Sequence, residues 1–375
     1  MADARIVALP GDGVGREVMA VGLKVLEAAQ ERHGFHLDVR EVQCGAQHYQ
    51  ETGHEWEEGG LASCKEADAI LLGAVGWPGV SLPNGDIAGA GVVFGLRFGL
   101  DLYANIRPCR LYPGVPHKVS ERFMQVWKPE NVDMVILREN TEGSYTPTRG
   151  TLSRGGVDEV AIDTRVITRK GSERIVRRAF EVAEGRAKAR KAAGKESKVT
   201  CIDKSNVRAG CRLFRSVYDE VAKGHPKVKP DHAYVDAFTQ WLVRNPEWFD
   251  VCVTTNMLGD IVTDLAAVLQ GGMGMAASGN VGDRNAMFEP VHGSAPKHAG
   301  QDVVNPYAMV SSVGMMLEHV GAKKGNKRML AAAASIEKAV MDSVARKVFT
   351  YDLGGKLKCS QVGAKVAKAV AQAKV

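Results

Sequence analysis

The sequence has little that would staple a chain, coat it or embed it. Its seven cysteines, at positions 44, 64, 109, 201, 211, 252 and 359, are odd in number and include no C-x-x-C pair. That argues against a disulfide framework and against a cysteine zinc site, and for reduced thiols in the cytoplasm or an equivalent reducing compartment. No apolar run is long enough to cross a bilayer. The opening segment MADARIVALPGDG lacks the charged-then-apolar pattern of a secretory signal. Internal repeats and low-complexity linkers are missing. Aromatic residues make up only 6% of the chain, and the charge imbalance is a modest +6. An anionic small molecule accounts for that charge as well as a polymer does. The basic run 177–198 alternates with alanine and has no interleaved aromatics, which fits a solvated helix face better than a nucleic-acid patch, and no nucleic-acid partner is expected.

What is present is glycine, 41 residues in 375. With abundant alanine and valine it favours a turn-rich α/β chain over a helical bundle. The length suits two lobes. Arg5–Leu9 reads as a short buried strand, followed by a Gly-rich turn. Next comes a helix with Val18, Val21, Val25 and Leu26 on one face. His36–Val42 and Ala69–Leu72 read as further strands, and strands alternating with helices predict parallel pairing. In the middle third, Val132–Leu137, Val157–Thr168, Val199–Ile202 and Ala233–Val235 read as strands and Glu173–Lys198 as a long helix. The expected layout is a discontinuous large domain, 1–110 and 257–375, with a smaller domain, 111–256, inserted in it.

Several groups of residues carry chemistry. Asp260 and Asp264 stand at i and i+4, on one face of a helix, where both can ligate a hard cation. Asp236 follows the strand-like Tyr234-Val235 and is a third acid. For an isolated D-x-x-x-D pair a plain helix surface is the commoner reading. Three such acids suit Mg²⁺ or Mn²⁺, which keeps coordination positions for substrate and water. Arg97, Arg107 and Arg138 offer planar forks for carboxylates, although each taken singly fits a surface ion pair. Tyr145 and Lys204 are candidate proton carriers. Gly11-Asp12-Gly13-Val14-Gly15 has the spacing G-x-G-x-G and not that of a dinucleotide fingerprint. Residues 289–296 form another Gly-containing polar loop, able to cradle a phosphate with backbone N–H groups.

Together these segments resemble one family over nearly the whole chain. The motifs are GDGVGREV at 11–18, LLGAVG at 71–76, YANIRP at 103–108, RENTEGSY at 138–145 and DKSN at 203–206. YVDAFTQWLVRNP at 234–246, TNMLGDIVTDLA at 255–266, FEPVHGSAPKHAG at 288–300 and VNP at 304–306 complete the set. The sequence is similar to the β-decarboxylating dehydrogenases, which act on isopropylmalate, isocitrate, homoisocitrate, tartrate and D-malate.

The resemblance implies an α/β, isopropylmalate dehydrogenase-like two-domain fold that is not a Rossmann fold. It places the active site in the interdomain cleft and dimer interface of a homodimer. Arg97, Arg107 and Arg138 would hold substrate carboxylates. Asp260 and Asp264, with Asp236 from the partner, would bind the metal. Tyr145 would be the general acid, and Lys204, also from the partner, the general base. Glu289, His292, Gly293, Ser294, Ala295, Lys297, His298 and Asn305 would bind NAD or NADP. The implied reaction is oxidation at C2 with hydride transfer to the nicotinamide, then loss of CO₂.

Substrate choice falls to the helix ahead of Arg97. By the resemblance, Val93 and Gly91 stand at the places where isocitrate enzymes carry polar Ser and Asn, so Val93 and Phe94 imply an apolar substituent in place of a third carboxylate. RENTEG, by contrast, is nearer the isocitrate, tartrate and D-malate branches. The reading is isopropylmalate or a related 3-alkylmalate first, isocitrate second, D-malate or tartrate third. Lys297-His298, where NAD enzymes carry Asp, and Tyr351 imply NADP, although an Arg of the NADP enzymes is Gly355 here. A non-catalytic regulatory subunit would be expected to lack the acid, base or metal ligands, all of which are present.

Overall fold

The computed structural model describes residues 2–373. In chain order the elements are β1 (Ala4–Gly11), α1 (Val14–His33), β2 (Leu37–Glu41), α2 (Ala46–Thr52), α3 (Gly60–Glu66), β3 (Ala69–Ala74), α4 (Ala90–Gly99) and β4 (Ala104–Arg110). Then follow β5 (His117–Val119), β6 (Arg122–Met124), β7 (Asp133–Glu139), β8 (Arg149–Arg154), β9 (Val157–Asp163), α5 (Arg169–Ala192), β10 (Lys198–Asp203), α6 (Ala209–Ala222), β11 (Lys229–Tyr234) and α7 (Val235–Arg244). The chain closes with β12 (Val251–Thr254), α8 (Asn256–Leu269), β13 (Ala277–Val281), β14 (Ala286–Pro290), α9 (Tyr307–Lys324), α10 (Lys327–Ala345) and α11 (Cys359–Ala371).

The chain divides into two compact units. The first holds residues 1–102, 110–129 and 267–375, and the second 103–109 and 130–266. The expected boundaries at 110 and 256 therefore shift. Residues 103–109 go to the second unit because β4 neighbours β7 there, while 110–129 fall in the first. Most of α8 also lies in the second unit, where its first residue, Asn256, bonds Arg138 and the Glu142 carbonyl.

In the first unit the strand order is β13-β14-β3-β1-β2. β1 pairs in parallel with β2 and β3, and its residues are buried almost without alternation, as a parallel strand covered on both faces requires. Val7, Leu9, Ile70 and Leu72 pack with Val92 and Leu96 of α4 and Cys64 of α3. The hairpin β13–β14 is antiparallel, against the expectation of uniformly parallel pairing. It is joined by a short turn, which allows the strand reversal that a helix crossover does not.

In the second unit the order is β11-β10-β12-β7-β4. Val135, Leu137, Val199, Cys201, Val251 and Val253 bury against Ile175, Val176 and Phe180 of α5 and Phe214 and Tyr218 of α6. The long basic helix starts earlier than expected and stops at Ala192. Gly194, at φ +70°, then turns the chain, and Lys198 already opens β10. Its basic face is only partly solvated: Arg186 and Arg190 both pair with the buried Asp250. β9 ends at Asp163 instead of Thr168, and Val235 begins α7 instead of ending a strand. All seven cysteines are free and buried, and burial pushes the Cys64, Cys109 and Cys359 thiols up to about 12. No helix among the described residues is long and apolar enough to cross a membrane.

Candidate active site

The second unit gathers five of the expected residues. α8 presents Asp260 and Asp264 one turn apart, β4 carries Arg107, and β7 carries Arg138 next to its last residue, Glu139. Arg138 pairs with Asp260, whose other oxygen accepts the Tyr145 hydroxyl at 2.8 Å. The Arg138 guanidinium also lies 5.6 Å from the centre of the Tyr145 ring. Arg107 reaches Asp264 at 3.3 Å and Asp260 at 3.6 Å, and donates to Asn105 at 2.8 Å and Thr263 at 2.5 Å. Both arginines are buried, whereas the two acids are 37% and 55% exposed at the side chain. Two fixed cations below two reachable carboxylates can hold an anion through the cations and a divalent ion through the acids.

Lys204 and Asp236 form a separate pair, 2.8 Å apart and open to solvent. The hydrogen bond from Lys204 holds the Asp236 carboxyl below the usual carboxylate range. Among the described residues no group of three His, Cys, Asp or Glu is placed to hold a metal ion. Asp236 therefore does not join Asp260 and Asp264 within one chain.

The first unit holds the remaining candidates. On α4, Val92 and Leu96 face the core, while Val93 and Arg97, one turn apart, are half-buried. Phe94 is 37% exposed and stacks on Phe98 with ring centres 5.8 Å apart. Arg97 pairs with Glu289 at 3.2 Å, and its buried Nε has no protein partner. Glu289 also accepts from Asn280 at 2.8 Å. In the loop that follows, His292 donates from Nδ1 to the Gly293 carbonyl at 2.9 Å, while its buried Nε2 is unpartnered. Burial holds this imidazole's pKa below the usual histidine value. Ser294 donates to the Gly76 carbonyl at 2.5 Å, and its own carbonyl accepts the Val14 N–H at 3.0 Å. Ala295 sits in the left-handed region at φ +39°. Lys297 is exposed, and His298 Nε2 lies 3.4 Å from the Tyr351 hydroxyl. Asn305 is buried, donates to Asp352 at 3.0 Å and accepts the Tyr307 N–H at 3.0 Å. Gly355 has a steric cause. Any side chain there would run into the Phe349 carbonyl, so no arginine fits.

Two orphaned buried nitrogens, on Arg97 and His292, and a loop in which Gly293 leaves open space where a Cβ would stand fit an anionic substrate and a dinucleotide. Asp12, in the opening Gly-rich turn, has another job. Its buried carboxylate accepts the N–H groups of Ala46, Gln47 and Gly76, at 2.8, 2.8 and 2.7 Å, which pins the Gly76 turn against Ser294.

Sequence reading missed four positioning residues. These are Asp12; Glu17, which accepts the N–H groups of Gly300 and Asp302 at 2.6 and 2.9 Å; Glu55, which holds α4; and Asn256. Asn256 Oδ1 accepts Arg138 Nε and Nη2 at 2.9 and 2.7 Å, and its Nδ2 donates to the Glu142 carbonyl at 2.7 Å. All four act on partners distant in sequence, and only the GDGVGREV motif around Asp12 and Glu17 and the TNM motif around Asn256 hinted at them.

A carboxylate pair on a helix, facing two arginines and a tyrosine, in a chain that also carries a separate lysine–aspartate pair, suits acid–base work on an anionic substrate. The profile of the family described as isocitrate/isopropylmalate dehydrogenase matches residues 5–366, and the chain belongs to that family. It is 42% identical to a 3-isopropylmalate dehydrogenase of Thermobifida fusca over 98% of both chains. A 3-isopropylmalate dehydrogenase of Streptomyces coelicolor is 43% identical over 89% of this chain and 90% of its own. The crystal structure of isocitrate dehydrogenase from Methylococcus capsulatus superposes with a TM-score of 0.84 at 33% identity, covering 98% of this chain and all of that one. The chain is a β-decarboxylating dehydrogenase.

Proposed function

We propose that the protein works as a homodimer that oxidatively decarboxylates 3-isopropylmalate or a related 3-alkylmalate, using Mg²⁺ or Mn²⁺ and NADP⁺ in preference to NAD⁺. The observation that carries this reading is the cluster of Arg107, Arg138, Tyr145, Asp260 and Asp264 in the second unit, and it is supported by Val93 standing one turn before Arg97 in the first. Arg97, Arg107 and Arg138 bind the two carboxylates. Val93 presents an apolar surface to the 3-substituent, where a third carboxylate would find no hydrogen bond.

The dimer is supported by the second unit's surface. Every residue of the β8–β9 hairpin is exposed, including Leu152, Val157, Val160 and Ile162. A lone two-stranded hairpin with that much apolar surface gains stability by packing on another chain. Trp241 and Trp248, near the end of α7, and Ile261 of α8 are also open. A second copy brings its Lys204 and Asp236 to this copy's Asp260 and Asp264 and completes the acid set.

A divalent ion held by Asp260 and Asp264, with Asp236 from the second copy, would supply Lewis acidity toward the substrate's C2 oxygen. Lys204 would accept the proton of the C2 hydroxyl, and a nicotinamide ring, when bound, would supply the acceptor for the hydride that leaves C2. The C3–carboxylate bond then breaks, its electron pair stays on C3, and CO₂ departs. Tyr145 delivers a proton to C3, and Asp260, which accepts the Tyr145 hydroxyl, keeps it aimed. Lys297 and His298, beside Tyr351, offer positive charge and donors to a 2′-phosphate.

Initial rates on isopropylmalate, isocitrate, homoisocitrate, D-malate and tartrate, each with NAD⁺ and NADP⁺, test the reading. Isopropylmalate with NADP⁺ is expected to give the highest kcat/KM, and chelation of divalent metal to abolish it. Full turnover after exhaustive chelation overturns the metal-dependent chemistry.

A further inference from the structure

The first turn of α4 is already occupied by a carboxylate from elsewhere in the chain. Glu55, in the segment after α2, reaches across 34 residues so that its Oε1 accepts the Gly89 N–H at 2.5 Å and the Gly91 N–H at 3.2 Å. Those N–H groups belong to the positive end of the helix that carries Val93 and Arg97. Oε2 of the same carboxylate fills the space beside Gly91, where a Cβ would collide with it. Glycine at 91 thus has a reason: it leaves room for Glu55.

The geometry along the helix gives this charge a function. Gly91 and Arg97 are six residues apart, roughly 9 Å along the axis. Helical side chains lean toward the N-terminus, so the Arg97 guanidinium reaches back over the turn of Val93. With one carboxylate on Arg97, a substrate whose 3-substituent lies along α4 past Val93 would bring that substituent toward the first turn. A free helix N-terminus there would welcome a further carboxylate. Instead its donors are taken, and a negative charge stands in their place.

We propose that Glu55 is a specificity-determining residue, which excludes a third substrate carboxylate by occupying the N-terminus of α4 with its own. The inference rests on the dicarboxylate, apolar-substituent reading given above. It assigns the rejection of tricarboxylates to an active repulsion as well as to the lack of polar groups at 91 and 93. Juxtaposed like charges in a partly desolvated site are strongly disfavoured.

Two variants separate the charge from the helix cap. Glu55→Gln keeps an acceptor for the Gly89 and Gly91 N–H groups and removes the charge. Glu55→Ala removes both. For E55Q the ratio of kcat/KM for isocitrate to that for isopropylmalate is expected to rise about tenfold or more. The Kd of isocitrate, titrated directly onto the holoenzyme, is expected to fall by a similar factor. E55A is expected to lower kcat/KM for isopropylmalate, because α4 loses its anchor. An isocitrate Kd and an efficiency ratio both unmoved in E55Q overturn the proposal. The wild type's own ranking of isopropylmalate against isocitrate decides the substrate reading separately, since the isocitrate Kd reports on Glu55 whichever substrate is preferred.

Discussion

Replacing Asn256 with alanine tests whether the site is held together in the way its hydrogen bonds describe. Asn256 opens α8, the helix of Asp260 and Asp264, and is 2% exposed. Its Oδ1 takes two donors from the Arg138 guanidinium, itself 2% exposed, and its Nδ2 ties the Glu142 carbonyl, three residues ahead of Tyr145. Hydrogen bonds from a charged donor contribute about 1.5–3 kcal/mol each and a neutral one about 1. Water reaches this spot poorly, so the truncation leaves Arg138 donors unsatisfied. Allowing for non-additivity, we expect a loss of about 3 kcal/mol or more. Unfolding entropy of roughly 2.1 cal/mol/K per residue makes that about 4 °C in the melting midpoint of a chain of 375 residues. The activity loss should be larger than the stability loss implies. Arg138 and Tyr145 both meet Asp260, and a displacement of about 1 Å costs on the order of a hundredfold in rate. Asn256→Asp keeps the acceptor for Arg138 and loses the donor to Glu142, so it should spare KM more than kcat. The assay pairs a thermal melt with steady-state kinetics. An N256A variant whose midpoint and kcat/KM match the wild type would refute the reasoning.

Further outcomes follow from the same geometry. Tyr145→Phe removes the hydroxyl that meets Asp260 at 2.8 Å and should reduce turnover about a hundredfold or more with an unchanged circular dichroism spectrum; near-normal turnover removes Tyr145 as the acid. Lys297→Asp should swing the ratio of catalytic efficiencies from NADP⁺ toward NAD⁺, and a ratio it leaves unmoved shows that Lys297 does not read the phosphate. Ile162→Asp, on the exposed hairpin, should give monomers by sedimentation and lose activity; an active dimer argues that the hairpin is not the interface. Asp236 has a folded-state pKa below its unfolded value, so the stability its pairing with Lys204 contributes is present above the unfolded pKa and lost as pH falls through the folded one. In Lys204→Ala, carboxyl NMR should show Asp236 titrating closer to the ordinary range, and an unmoved titration would mean that Lys204 is not the cause.

Much was legible before any coordinates. The near-continuous apolar run of β1 and the period of Val18, Val21, Val25 and Leu26 place strand and helix, because burial on both faces and a spacing of 3.6 leave direct marks. The i, i+4 spacing of Asp260 and Asp264 already put them on one face, and the motif set named the candidate residues. Less legible were the ends of elements, such as Asp163 of β9 and Ala192 of α5, the latter followed by the left-handed Gly194. The hairpin β13–β14 was also missed, since its short strands have no long periodic signal.

The sequence by itself determined which side chains are available for the chemistry and which local elements carry them. Local spacing and composition act over a few residues, and that is enough for both. The tertiary structure decided which charges meet. It set Arg97 on Glu289, 192 residues away, Arg107 on Asp264, 157 away, and Glu55 on the first turn of α4. It also kept Asp236 apart from Asp260 and Asp264 within one chain. Such pairings depend on how strands order themselves and where the backbone returns. Neither is written in any local window, because the free energy that fixes them comes from burial shared across the whole unit.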